Sequence, residues 1–172
     1  MSEDEHLSAP TPLNKPRCAD VRLVNTAAEL EIGTKDLLAG DGPLAIDAER
    51  ASGFKYSQRA YLIQLHRRNS PILLIDPIAI GVEDPDAFSR LATAINGIPW
   101  ILHAATQDIP CLAELGLRPT KIIDTELAGR LLGLERVGLG SMVQELMSRR
   151  WLIDMNDFLS ERRFLSKVTS QF

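Results

Sequence analysis

Apolar and polar positions divide the chain into short segments whose period changes along its length. Val21-Arg22-Leu23-Val24 has the alternation of a short strand. Thr26 followed by Glu29 forms a capping-box start for a helix through about Leu38, and Gly40-Asp41-Gly42-Pro43 breaks the chain. Three strand-like runs follow closely, at 44–49, 61–66 and 72–76, with connections short enough to favour an antiparallel meander. The pattern then turns helical: Phe88, Leu91, Ala92 and Ile95 share a face over 84–95. Trp100-Ile101-Leu102-His103 reads as a strand, 107–115 as a helix ending at Gly116, and Ile122-Ile123-Asp124-Thr125 as a strand passing into a helix through Leu132. A last helix is expected from Gly140 or Ser141 to Arg149. Strands in hairpin order followed by alternating helices and strands predict an α/β fold with a mixed sheet, an antiparallel meander followed by parallel strands, flanked by helices.

Composition narrows the class. A chain of 172 residues with 45% apolar residues suits one globular domain with a sizeable core. With 19 Lys plus Arg against 23 Asp plus Glu, the mean field is mildly acidic, unlike that of a protein that coats a duplex. Cys18 and Cys111 are far apart and show no zinc spacing, which argues against a disulfide framework and fits a reducing cytoplasm. The acidic start lacks an export signal and no run reaches membrane-spanning length, so a soluble, cytoplasmic protein with no membrane partner is expected. Residues 1–17, with Pro10, Pro12 and Pro16 and few large apolar groups, read as a disordered leader.

The candidate chemistry begins at Asp47 and Glu49. Strand alternation projects both carboxylates to one side, where like charges repel unless one takes a proton or a hard cation such as Mg²⁺ or Mn²⁺ sits between them. Solvated turn residues at a strand end are the alternative. His103 to Asp108 runs from a strand end into a helix's first turn, a common mount for active-site groups, yet Asp108 there could equally cap the helix and His103 could be a packed histidine. Asp124 suits an N-cap. Gln64 could face a ligand from its strand. Arg50, Lys55, Arg59, Arg67 and Arg68, interleaved with Phe54, Tyr56 and Tyr61 and free of acids, form either a solvated hairpin face or a phosphate-holding, base-stacking track beside the carboxylates.

These segments together resemble the DEDD-type 3′→5′ exonucleases, and within them ribonuclease D. The resemblance rests on Asp47-Ala48-Glu49 with Arg50-Ala51-Ser52-Gly53, on Tyr56-Ser57-Gln58-Arg59-Ala60-Tyr61-Leu62-Ile63-Gln64-Leu65, on His103-Ala104 followed by Asp108, and on Asp124-Thr125-Glu126-Leu127-Ala128-Gly129-Arg130-Leu131. It implies an RNase H-like exonuclease domain over 18–147, two ions of Mg²⁺ or Mn²⁺, and hydrolytic release of nucleoside monophosphates from single-stranded nucleic acid, in particular RNA 3′ ends. By the family pattern Asp47 would bridge the ions, Glu49 would ligate one and help orient the nucleophile, and Asp108 would hold the other. Gln64, His103, Tyr56 and Arg59 would contact substrate.

The family's third motif, Tyr-x-x-x-Asp, has no match after Met142, because both tyrosines lie at 56 and 61. Residues 148–172 therefore read as a divergent tail, and the expectation is a C-terminally incomplete member in which three of four metal carboxylates survive. A catalytically impaired remnant that still binds nucleic acid is the alternative reading.

Overall fold

The computed structural model describes residues 11–13, 20–50, 59–147 and 149–151, with side chains over 20–50 and 59–146. Strand β1 is Thr11–Leu13, β2 Val21–Val24, β3 Asp41–Arg50, β4 Ala60–Arg68, β5 Ile72–Ile75, β6 Trp100–Leu102, β7 Ile122–Asp124 and β8 Arg149–Trp151. The helices are α1 Ala27–Ala39, α2 Pro77–Glu83, α3 Ala87–Ala94, α4 Ile109–Glu114, α5 Thr125–Leu131 and α6 Leu139–Met147.

Six strands form one sheet in the order β2-β5-β4-β3-β6-β7. β3, β4 and β5 are the expected antiparallel meander, and β6 and β7 add in parallel on the β3 side. β4 is the one strand of this sheet that runs against the others. The carboxy ends of β3, β6 and β7 consequently lie together at one end of the sheet, where ligand sites of open α/β sheets form.

Alternation along β3 divides the core in two. Leu44, Ile46 and Ala48 join Leu30 and Leu37 of α1, Ile80 of α2, Phe88 and Leu91 of α3 and Leu112 of α4 on one face. Ala45, with Ile101 of β6, meets Ala128 of α5 and Leu139, Met142 and Val143 of α6 on the other. Asp47 and Glu49 continue the Ala45 row. Burial on both faces explains why 44–48 reads as a continuous apolar run broken only by Asp47.

The α1 prediction holds to its cap: Thr26 Oγ1 accepts from the Glu29 N–H at 3.2 Å, and Glu29 Oε2 accepts from the Thr26 N–H at 3.2 Å. At its other end Gly40 turns against β4. A Cβ there would lie 2.9 Å from the Arg68 carbonyl oxygen and 3.2 Å from that of Leu37, both backbone atoms that cannot step aside. Gly40→Ala is expected to destabilise the fold by about 1–3 kcal/mol, read as a lower urea midpoint at unchanged slope.

Several boundaries differ from those the sequence suggests. The helix expected over 84–95 is α3 alone, preceded by an unanticipated α2 that starts at Pro77. Asp76 caps it, its Oδ1 accepting from the Ile78 and Ala79 N–H groups at 2.9 and 3.0 Å. The local Asp-Pro signal was hidden by the apolar strand running into it. The last helix starts at Leu139 and ends two residues earlier than Arg149.

Of the leader expected over 1–17, Thr11–Leu13 form a strand that pairs in parallel with Arg149–Trp151, and the rest lies outside the described residues. A pairing across that separation is invisible to local composition, and proline at Pro12 is compatible with a two-stranded edge because it need not donate. Arg149–Trp151 likewise form a strand. Among the described residues, no helix is long and apolar enough to cross a membrane.

Candidate metal and nucleic-acid site

Asp47 lies near the carboxy end of β3 and is buried, 8% exposed, while Glu49 two residues on is exposed. The β3/β4 register sets Gln64 opposite Asp47, and its Nε2 donates to Asp47 Oδ2 at 3.0 Å. The register shifts between Glu49 and Arg50, a local irregularity that re-aims the strand end just past the two acids. Gln64 thus contacts the first carboxylate itself.

Asp108 reaches the same place from β6. The chain leaves Leu102 through His103, takes a left-handed residue at Ala104 (φ 55°), and turns into α4 with Asp108 at its N-cap position. The capping alternative fails here: the Asp108 side chain makes no cap hydrogen bond. The residue is 7% exposed, and its carboxyl pKa is pushed up to about 7, first by burial and next by the negative charge of Asp47, with Glu49 adding to the rise and Arg50 opposing it. Electrostatically, Asp47, Glu49 and Asp108 form one acidic cluster. Carboxylate oxygens are hard donors of the kind that suits Mg²⁺ or Mn²⁺. Among the described residues, no three His, Cys, Asp or Glu side chains stand close enough together to hold an ion as they are.

His103 sits level with Asp47 when the Ala45–Ile101 pairing is carried two residues on. Its Nδ1 lies 2.9 Å from Thr125 Oγ1, which itself donates to the Leu102 carbonyl oxygen at 3.2 Å. With its proton so committed, the hydroxyl accepts from Nδ1–H, leaving Nε2 as the acceptor nitrogen. Burial lowers the His103 pKa, outweighing the opposing pull of Glu126 and Asp124, so the ring is neutral at pH 7. Fully buried Thr125 was not singled out from the sequence. Its signal was a hydroxyl directly after a strand-end Asp.

Asp124 caps α5 as expected, accepting from the Glu126 and Leu127 N–H groups at 2.9 and 3.2 Å. It also accepts from the Ala104 and Ala105 N–H groups, at 3.2 and 2.9 Å.

The basic run does not form one track. β4 carries its two ends to opposite ends of the sheet, roughly 25 Å apart at ~3.3 Å per residue. Arg50 and Arg59 stand at the carboxylate end, whereas Arg67 and Arg68 stand at the other. Arg67 is tied up there: its guanidinium donates to the Gly42 carbonyl at 2.9 and 2.7 Å and to the Leu37 carbonyl at 2.8 Å. Burial lowers its pKa. Arg59 is exposed at the start of β4. Tyr56 and Lys55 lie outside the described residues.

A family model described as 3′-5′ exonuclease matches residues 21–170, which takes the match past Met147 and through most of the segment that reads as divergent. The chain is 30% identical over 128 residues to a ribonuclease D of Psychromonas ingrahamii, covering 72% of this chain and 32% of that protein. A solved protein from Bifidobacterium adolescentis superposes with a TM-score of 0.73 at 34% identity, over 94% of this chain and 40% of the other. The Escherichia coli RNase D structure, described as an exoribonuclease involved in structured RNA processing, gives a TM-score of 0.65 at 22% identity, over 88% of this chain and 44% of that one. The chain thus spans about a third of the length of the curated relative. An RNase H-like sheet with its acids gathered at the β3 and β6 ends agrees with this match: the chain belongs to the 3′-5′ exonuclease family, as a ribonuclease D-like DEDD member.

Proposed function

We propose that the chain carries the exonuclease centre of a ribonuclease D-like enzyme, which hydrolyses RNA from its 3′ end with Mg²⁺ or Mn²⁺ held by Asp47, Glu49 and Asp108. The observation that carries this reading is the Asp108 carboxyl, buried without a cap bond and driven up to about 7 by burial and by its acidic neighbours. A cation would relieve that repulsion. When bound, divalent ions supply an activated water and neutralise charge on the phosphate and the departing 3′ oxygen. Gln64 holds the Asp47 carboxylate in its rotamer, and neutral His103 offers Nε2 as an acceptor towards substrate hydroxyls. Arg50 and Arg59, at the same end of the sheet, supply positive charge towards the phosphate backbone. The name of the Psychromonas relative and the description of the Escherichia coli structure favour RNA over DNA.

The test is RNA labelled at its 3′ end, incubated with the purified chain with and without Mn²⁺. Labelled mononucleotide released only with Mn²⁺ is the expected result. Internal cleavage, or release that is insensitive to chelation, would sink the reading.

A second reading, nucleic-acid binding without turnover, is favoured by one specific observation: no Tyr-x-x-x-Asp follows Met142. It predicts binding of single strands that weakens steeply with salt and no mononucleotide at any metal concentration.

A further inference from the structure

We propose that Asp124 is a positioning residue for the acidic site: through the Ala104–Ala105 backbone it fixes where Asp108 stands. The inference rests on the metal-centre reading of Asp47, Glu49 and Asp108 given above.

The four N–H groups that Asp124 receives belong to two separate pieces of chain. Oδ1 accepts from Glu126 and Leu127, the first turn of α5, and from Ala104 at 3.2 Å, while Oδ2 accepts from Ala105 at 2.9 Å. An N-cap needs only the first two. The other two hold a turn on the neighbouring strand, in which Ala104 adopts φ 55°, a left-handed conformation that disfavours any residue with a Cβ.

The held residues then carry Asp108. The Ala104 carbonyl accepts from the Gln107 N–H at 2.9 Å, and the Ala105 carbonyl accepts from the Asp108 and Ile109 N–H groups at 3.2 and 3.0 Å. A continuous hydrogen-bonded path therefore runs from the Asp124 carboxylate through two peptide units to the Asp108 backbone. The parallel β6/β7 register, with Leu102 opposite Asp124, brings the carboxylate within reach of that turn. Asp124 is half-buried and its four hydrogen bonds go to backbone N–H groups, so its carboxylate acts through the backbone.

Asp124→Asn separates the two duties. An amide has one acceptor oxygen. With that oxygen in the Oδ1 place the α5 cap survives, but Nδ2 then faces the Ala105 N–H, donor against donor. The turn keeps the Ala104 N–H bond to that oxygen but loses the Ala105 bond and meets a donor clash in its place, which displaces the Ala105 peptide and with it Asp108.

The experiment is Mn²⁺ binding to the full chain, followed by calorimetry and by loss of the free-ion electron paramagnetic resonance signal, with circular dichroism to establish folding. Asp124→Asn is expected to weaken Mn²⁺ binding ~10–100-fold, the range for partners that orient ligands from behind. Glycine adopts the left-handed φ without a Cβ penalty. Ala104→Gly added to Asp124→Asn is therefore expected to recover much of the loss, which a simple loss of the α5 cap would not allow. Asp124→Ser, whose short hydroxyl can cap α5 but does not span to Ala105, takes the place of the asparagine variant should that variant not fold.

Wild-type-like Mn²⁺ affinity in a folded Asp124→Asn protein would overturn the positioning role while leaving the metal centre intact. A loss that Ala104→Gly does not relieve would do the same, reducing Asp124 to a helix cap. Failure of the unaltered chain to bind Mn²⁺, with no difference between it and Asp47→Asn, would overturn the metal centre itself and the positioning role with it.

Discussion

Asp47→Asn is expected to lower Mn²⁺-dependent release of nucleotide from an RNA 3′ end by at least ~10²-fold while leaving the fold in place. The substitution keeps volume and shape, and the amide oxygen can still accept from Gln64 Nε2, which now lies 3.0 Å from Asp47 Oδ2. What disappears is the negative charge at the most buried position of the acidic pair, since Asp47 is 8% exposed and Glu49 lies in solvent. A neutral amide oxygen is a much weaker partner for a hard divalent ion. Single-turnover release from labelled RNA measures the effect, and thermal unfolding checks that the variant is folded. Undiminished release by Asp47→Asn would remove this residue from the centre. If the chain instead binds RNA without turnover, neither protein releases nucleotide, and the variant retains its RNA affinity.

Asp108→Asn should do something less usual for a buried site residue: it should stabilise the metal-free protein at alkaline pH. The Asp108 carboxyl titrates near 3.8 when unfolded and at about 7 in the fold, so the folded state holds the extra proton between those values. Stability from this group therefore falls as pH rises from about 4 to about 7 and stays lost above. At ~1.4 kcal/mol per pKa unit, and discounting for solvent that reaches the site, the cost at pH 8 is on the order of 2 kcal/mol. Asparagine carries no such charge and escapes it. Without metal, the unaltered protein should thus melt lower at pH 8 than at pH 5 relative to Asp108→Asn. Saturating Mn²⁺ should raise the midpoint of the unaltered protein at pH 8 and leave Asp108→Asn nearly unmoved. A metal-free Asp108→Asn protein that is less stable at both pH values would show that the carboxylate is instead held by favourable contacts.

The sheet was legible in the sequence because strands buried on both faces read as apolar runs, and 44–48, 72–75 and 100–102 are such runs. Helix α2 was not, since its capping Asp76 and Pro77 follow that run without a polar break. Pairing of Thr11–Leu13 with Arg149–Trp151 joins residues far apart in sequence, which no local pattern records. Within the site, Asp47 and Glu49 were readable from strand alternation alone. Asp108 was harder. An acid in a helix's first turn has an ordinary use as a cap, and only the missing cap bond and the nearness of Asp47 set that use aside. The basic run misled because one-dimensional adjacency along β4 becomes separation by the length of the strand, and because Arg67 is spent on the Gly42 and Leu37 carbonyls.

The reversed direction of β4 has a practical corollary. Asn69, with φ 68°, and Gly97, with φ 83°, form turns at the end of the sheet remote from the acids, roughly 17–20 Å from Asp47 along the strands at ~3.3 Å per residue. A fluorescent label or a short peptide graft at either turn could report on RNA encounter without occupying the path of the strand, giving this chain a built-in handle for single-molecule work.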